Sequence, residues 1–182
     1  IKEGHNKNKI HNVGNVMIDN LYFQKKKLNH FKINKLYTTK LKKKYKSSYA
    51  VLTLHRPSNV DNKKTLNNII KVLNKISKKI PIIFPVHPRT KKNIDKFKIN
   101  FKKNILKIKP LSYMEFLNLW RDSSIVITDS GGLQEETSAL GIKCLTIREN
   151  TERPITIEKG TNILAGINEV KILKSFRKKM NE

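Results

Sequence analysis

Short, nearly unbroken apolar runs return along this chain, separated by segments of helical period, and that alternation restricts the fold more than any other feature. Tyr49-Ala-Val-Leu-Thr-Leu54, Pro81-Ile-Ile-Phe-Pro-Val86, Ile105-Leu-Lys-Ile108, Ile125-Val-Ile-Thr128, Lys143-Cys-Leu-Thr-Ile147 and Asn162-Ile-Leu-Ala165 have the length and β-branched content of buried strands. Between them, Leu66, Ile69, Ile70, Leu73 and Ile76 mark one face of an amphipathic helix with lysines on the other. Ser112 caps a helix carrying Met114, Phe116, Leu117 and Trp120, a weak helix is predicted over 93–97, and a last one over about 168–180. Before the first of these strands, residues 9–15 read as a short strand and turn and 16–23 as a helix. Residues 25–46 form a lysine-rich segment with Leu28, Phe31, Leu36 and Leu41 loosely spaced for another helix. Strands apolar on both faces, alternating with helices five or six times, predict a doubly wound parallel sheet. The fold class is α/β, Rossmann-like, with residues 1–182 as one domain.

In such sheets ligands sit beyond the carboxyl ends of the strands. Four loops fall there: His55-Arg-Pro-Ser-Asn-Val-Asp61, His87-Pro-Arg-Thr90, Asp129-Ser-Gly-Gly132 and the polar stretch 148–153. The third joins a strand to helical spacing from Leu133 to Leu140 that stops at Gly141, a residue suited to the position just past a helix end. A strand that turns through two glycines into a helix leaves amides pointing outward at the positive end of that helix, and phosphate binds there readily. Glu135 and Glu136 are predicted in the first turn, where they complement the dipole or hydrogen-bond a sugar hydroxyl. An N-capped helix after a strand, with no ligand, fits the same spacing. A lone loop histidine is usually solvated or structural, but two in equivalent loops of one sheet, beside several arginines, make a coherent anion site.

The charge raises other partners: 39 Lys and Arg stand against 14 Asp and Glu, a formal +25. The lysines are spread along every predicted helix, mixed with Asn and Ile, and nowhere interleave with aromatic residues as in a single-strand binder. A compositional bias accounts for them better than nucleic acid does; a nucleic-acid module would show steep salt dependence and indifference to nucleotide sugars. Cys144 is the only cysteine, so no intrachain disulfide forms, and its apolar setting predicts a buried small hydrophobe. No apolar run approaches the ~18 residues of a membrane span. No Cys/His/Asp cluster has metal-ligand spacing, and no Gly-x-Gly-x-x-Gly fingerprint is present. The chain opens without an initiating Met and reads as a piece of something longer.

Thr53-Leu-His-Arg-Pro-Ser-Asn-Val-Asp61, Phe84-Pro-Val-His-Pro-Arg-Thr90, Thr128-Asp-Ser-Gly-Gly-Leu-Gln-Glu-Glu136 and Arg148-Glu-Asn-Thr-Glu-Arg-Pro154 with Gly160-Thr-Asn162 resemble the non-hydrolysing UDP-N-acetylglucosamine 2-epimerases. Val13-Gly-Asn15 with Ile18-Asp19 is similar to the motif that opens that family's second domain. The resemblance runs in order over essentially the whole chain. It implies a glycosyltransferase-B-like fold of two domains, of which this chain resembles the carboxyl-terminal, nucleotide-binding half. The helix over 168–180 would then pack toward an absent amino-terminal domain. The implied reaction converts UDP-N-acetylglucosamine to its manno epimer by eliminating UDP to 2-acetamidoglucal and adding it back. It needs no metal or other cofactor and belongs to cytoplasmic polysaccharide biosynthesis.

Carried over position by position, the resemblance implies that Ser130, Gly131 and Gly132 hold the diphosphate and Glu136 the ribose hydroxyls. His55 becomes the active-site histidine near the leaving diphosphate, and Arg153 the arginine at the nucleotide-sugar site. Arg56 and His87 match positions that bind a second, allosteric nucleotide sugar in bacterial relatives. Ser58, where many relatives have Glu, and Ile155-Thr156, where they have Glu-Gly, mark a departure that touches allosteric activation first. Expected partners are a UDP-sugar, the amino-terminal domain and, in the complete enzyme, a second copy, with neither nucleic acid nor membrane. The hydrolysing epimerases, which release UDP and free N-acetylmannosamine, are the alternative; the intact Gln134-Glu-Glu136 and Thr151-Glu-Arg-Pro154 motifs favour the non-hydrolysing branch.

Overall fold

The computed structural model describes residues 3–30, 33–46 and 48–181. In order these form α1 (Val16–His30), α2 (Tyr37–Tyr45), β1 (Ala50–Thr53), α3 (Pro57–Val60), α4 (Lys63–Ile76), β2 (Ile82–Pro85), α5 (Pro88–Phe97), β3 (Ile105–Ile108) and α6 (Tyr113–Trp120). There follow β4 (Ile125–Thr128), α7 (Gly131–Ala139), β5 (Cys144–Thr146), α8 (Ile155–Glu158), β6 (Asn162–Leu164) and α9 (Glu169–Asn181). The six strands make one sheet in the order β3-β2-β1-β4-β5-β6, and every neighbouring pair is parallel. The chain therefore steps outward from β1 to β3, returns to lay β4 beside β1, and steps outward the other way. The reversal between β1 and β4 is the crevice where such sheets take ligands.

Successive strand residues point to opposite faces, and each face has its own core. Ala50, Leu52, Ile82, Phe84, Ile125, Ile127 and Leu145 pack with the apolar stripes of α4 and α9. Val51, Ile83 and Val126 point the other way, into a core with Leu21, Leu28, Leu117 and Trp120 from α1 and α6. All ten strand residues are fully buried, each worth about 1.5–3 kcal/mol for the larger side chains, which is why the strands read as continuous apolar runs. Cys144 is likewise fully buried, and burial pushes its thiol up to about 11, an inert state at neutral pH.

The structure corrects several local expectations. Residues 9–15 form no strand: the side chains of Asn12 and Asn15 accept the amides of Gly14 and Met17, and such local bonds compete with ladder pairing. The helix predicted over 16–23 continues to His30, and 25–46 is not one helix. A single 3-10 turn, Ile33–Lys35, separates α1 from α2, which ends at Lys46 in the left-handed region (φ 47°). Phe31 lies outside the described residues. Pro57 and Pro88 open α3 and α5 at their first helical positions, where the missing N–H matters least, so the loops after β1 and β2 are short and turn at once into helix. Glu135 and Glu136 sit one turn deeper than expected, because Ser130 is the cap and Gly131 already helical. Gly141, at φ 71°, follows the end of α7 as anticipated.

Candidate functional site

Asp129, the residue just after β4, organises the crevice. It is fully buried, and its carboxylate reaches across to the loop after β1. The His55 amide lies 3.1 Å from both of its oxygens, the Arg56 amide donates to Oδ2 at 2.9 Å and Asn59 Nδ2 at 3.2 Å. Asn59 Nδ2 also donates to the Ile147 carbonyl (2.9 Å), which ties in the loop after β5. The His55 ring completes the set with Nδ1 3.1 Å from Asp129 Oδ1. Buried carboxylates persist when their lone pairs are taken up in this way. Neighbouring Thr53 and Thr128, on β1 and β4, meet hydroxyl to hydroxyl at 2.7 Å.

The next residue starts α7. Ser130 is its cap, with Oγ accepting the Leu133 amide at 3.4 Å. The Gly131 and Gly132 amides have no hydrogen-bond partner among the described residues, as befits the first turn of a helix. A cleft of about 380 Å³ opens beside them, within the size range of small-molecule sites. Ser130, Gly132, Glu136, His55 and His87 line it, together with Met17 from α1 and Tyr113 and Phe116 from α6. Met17 reaches so far over the turn that a Cβ on Gly132 would stand 2.8 Å from its methyl carbon.

Of the sequence candidates, His55, His87, Ser130, Gly132 and Glu136 line this cleft, whereas Gly131, Arg56 and Arg153 are not among its lining residues. Around the cleft, Arg56 lies 4.0 Å from the place of a Cβ on Gly131, with Glu152 at 3.8 Å. Arg153 puts Nε 3.1 Å from Glu135 Oε2, while Glu135 Oε1 accepts from Asn15 at 3.0 Å, so α7 anchors both the loop after β5 and the start of α1. His87 is the cap of α5: its Nδ1 accepts the Arg89 amide at 3.2 Å, and its ring centroid stands 5.6 Å from that of His55. Arg89, read as part of the anion site, is not among the cleft-lining residues and pairs with Asp61, whose carboxyl it holds below the usual range. Arg148 is mostly buried and grips Glu152 through two bonds of 2.7 Å. With Arg56 3.4 Å away on the other side, Glu152 is depressed to about 2.

Two residues given no role by sequence reasoning prove central. Gln134 is fully buried: Nε2 donates to the Ser130 carbonyl (3.1 Å), while Oε1 accepts from Thr151 Oγ1 (2.6 Å) and Asn162 Nδ2 (3.2 Å). Thr151 Oγ1 accepts in turn from the Arg153 amide at 3.0 Å. One amide side chain thereby fixes the phosphate-type turn relative to the Arg153 loop and β6. Tyr113, the first residue of α6, donates its hydroxyl to Glu136 Oε1 at 2.9 Å. Burial pushes Glu136 above the usual carboxylate range against the opposing pull of that bond, and burial with the neighbouring carboxylate drives the Tyr113 phenol up as well. The signal for Gln134 was its place four residues after the capping serine; nothing local marks Tyr113, whose partner lies 23 residues on.

Residues 1–182 match the family described as UDP-N-acetylglucosamine 2-epimerase. A UDP-N-acetylglucosamine 2-epimerase of Methanococcus maripaludis is 43% identical over 98% of this chain and 50% of its own length. A UDP-2,3-diacetamido-2,3-dideoxy-D-glucuronate 2-epimerase of Pseudomonas aeruginosa is 33% identical over 93% of this chain and 45% of its own. Among solved structures, the Methanocaldococcus jannaschii UDP-GlcNAc 2-epimerase in complex with UDP-GlcNAc and UDP superposes with a TM-score of 0.89 at 38% identity. That match covers 100% of this chain and 51% of that one. The chain spans about half the length of the curated relatives it matches.

Proposed function

The chain belongs to the UDP-N-acetylglucosamine 2-epimerase family, and from that premise we propose that it is the nucleotide-binding half of an enzyme that inverts carbon two of a UDP-2-acetamido sugar. The observation that carries the reading is the crevice between β1 and β4, where Ser130, Gly132 and His55 line one cleft beside a helix start whose first amides, Gly131 and Gly132, have no partner among the described residues. Diphosphate docks on those amides, at the positive end of α7. Glu136 accepts the ribose hydroxyls. UDP departs across carbons one and two to leave 2-acetamidoglucal and is added back with carbon two inverted.

Departure develops negative charge on a diphosphate oxygen, and fixed donors aimed at that oxygen stabilise it most when they need no reorganisation. His55 suits this task. Its Nδ1 faces Asp129, so the buried carboxylate orients the ring and leaves Nε2 to face the leaving oxygen. Arg153, steadied by Glu135, serves the nucleotide-sugar side of the cleft. Arg56 and His87 belong to a second, allosteric anion position. Abstracting the weakly acidic proton at carbon two calls for carboxylates tuned by burial, which the proposal assigns to an amino-terminal domain packed toward α9. Re-addition rather than release of UDP, a homodimer, and a cytoplasmic location form part of the same proposal. Among the described residues no helix is long and apolar enough to cross a membrane.

The test is binding and then turnover. This chain is expected to bind UDP in calorimetry without converting UDP-N-acetylglucosamine. Joined by the amino-terminal half of the M. maripaludis relative, it is expected to yield the UDP-linked manno epimer on chromatography. Absence of UDP binding at millimolar concentration would sink the reading, and free N-acetylmannosamine as product would place the enzyme in the hydrolysing branch.

A further inference from the structure

We propose that Tyr113 is a positioning residue whose hydroxyl fixes the Glu136 carboxylate and thereby makes the cleft select ribonucleotides over 2′-deoxyribonucleotides. The inference rests on the uridine diphosphate reading of the cleft and adds to it the residue that sets sugar selectivity in the nucleotide.

Both side chains line the cleft, and they come from different layers of its wall, Tyr113 from α6 and Glu136 from α7. The phenol donates to Oε1 at 2.9 Å, while Oε2 has no partner among the described residues. An ionised carboxylate only accepts, so one oxygen taken by tyrosine leaves the other, in a fixed orientation, for a hydroxyl of the ligand. Without that bond the carboxylate would rotate about its last torsion, which is broad for glutamate. Burial raises Glu136, and the bond from Tyr113 counters part of that rise. The phenol itself is driven upward and stays protonated, hence a donor, throughout the range in which the protein is handled.

Tyr113 is well held for such a role. Ser112 caps α6 by accepting the Glu115 amide, and Glu115 is itself gripped by the Tyr37 and Thr38 amides at 2.9 and 3.0 Å. On the other wall, the Thr137 hydroxyl bonds back to the Leu133 carbonyl at 2.7 Å inside α7. A pair of groups on two braced helices is pre-organised, and discrimination built on a fixed hydrogen-bond acceptor is stronger than discrimination by shape.

Affinities of this chain for UDP and for 2′-deoxy-UDP, measured by calorimetry before and after Tyr113→Phe, test the proposal. The substitution keeps the ring, any stacking it provides and the helix start, and deletes only the hydroxyl. The unmodified chain is expected to bind UDP about tenfold more tightly than 2′-deoxy-UDP, the factor associated with one hydrogen bond to a charged acceptor. In Tyr113→Phe, UDP weakens about fivefold, 2′-deoxy-UDP changes by less than twofold, and the preference largely disappears. A preference that survives intact, or an equal loss for both nucleotides, overturns the proposal and leaves Tyr113 as packing. Failure of the unmodified chain to bind either nucleotide overturns the uridine diphosphate reading itself, a separate result.

Discussion

Removing the Asp129 carboxylate gives the sharpest test of how the crevice is held. In Asp129→Ala four donors lose their acceptor: the amides of His55 and Arg56, one hydrogen of Asn59 Nδ2, and His55 Nδ1. Asn59 keeps its bond to Ile147, and the half-exposed His55 ring can turn to water, so two partly buried amides and one side-chain hydrogen lose their acceptor. At about 1 kcal/mol or more for each, the loss comes to roughly 3 kcal/mol. Domains of this kind are stable by about 5–15 kcal/mol, and at this size 1 kcal/mol moves the midpoint by about 2–4 °C, so Tm falls by about 6–12 °C. Asp129→Asn keeps one acceptor oxygen and is expected to lose about half as much. Urea unfolding of the three proteins, with the midpoint shifting at constant m, measures both values. If Asp129→Ala lies within 1 kcal/mol of the parent, the carboxylate does not hold the loop. If Asn falls as far as Ala, the charge itself rather than the number of acceptors is what the loop requires.

Ser130→Ala removes a hydroxyl at the proposed diphosphate position and is expected to weaken UDP by roughly 1 kcal/mol, read by calorimetry. Gly160→Ala places a Cβ 2.4 Å from Ser138 Oγ and 2.5 Å from the Thr156 carbonyl, an overlap expected to lower stability by about 1–3 kcal/mol in a thermal melt. Glu152, depressed to about 2 by Arg148, contributes stability that is present above the ordinary carboxylate pKa and lost as pH falls through its folded value. The Tm difference between the parent and Glu152→Gln is therefore expected at pH 6 and expected to vanish between about 4.5 and 2. Glu136 has the opposite sign: raised by burial, its charged form opposes folding above its folded pKa. Glu136→Gln is expected to raise Tm at neutral pH, to lose that advantage below about pH 4.5, and to bind UDP less well.

The sheet was legible because its central strands β1, β2, β4 and β5 are buried on both faces, so their hydrophobicity is written in consecutive residues. All six strands fall where the apolar runs lie, within a residue or two at each end. The amino-terminal stretch was misread because its asparagines satisfy backbone amides locally, a choice that apolar periodicity does not report. The two prolines that start α3 and α5 were readable as helix openings and were taken for loop. At the crevice, Ser130, Gly131 and Gly132 announced themselves by local spacing. Asn162 did not, and local spacing marked only the bond of Gln134 to the Ser130 carbonyl, because its other bonds reach across 17 to 28 residues and exist only once β5 and β6 are laid down. Tyr113 belongs to the same class.

The charge of +25 does not describe the crevice. Arg56 and Arg148 share Glu152, Arg89 is matched by Asp61, and Arg153 by Glu135, so each arginine on these four loops faces a carboxylate. Each of those carboxylates has a geometric task, whereas the lysines stand mainly on the outer faces of helices such as α4, where drift in composition meets little resistance. An anion site made this way works through the direction of a few amides and hydroxyls rather than through net potential. Surplus lysine charge acts at long range, is screened beyond about 8 Å at physiological ionic strength, and speeds the approach of any anion alike. Diphosphate docked as proposed, by contrast, would be held within hydrogen-bonding distance of the α7 start. Added salt should therefore slow UDP association more than it speeds dissociation, and an equal effect on both rates would mean that the field, not the turn, holds the ligand.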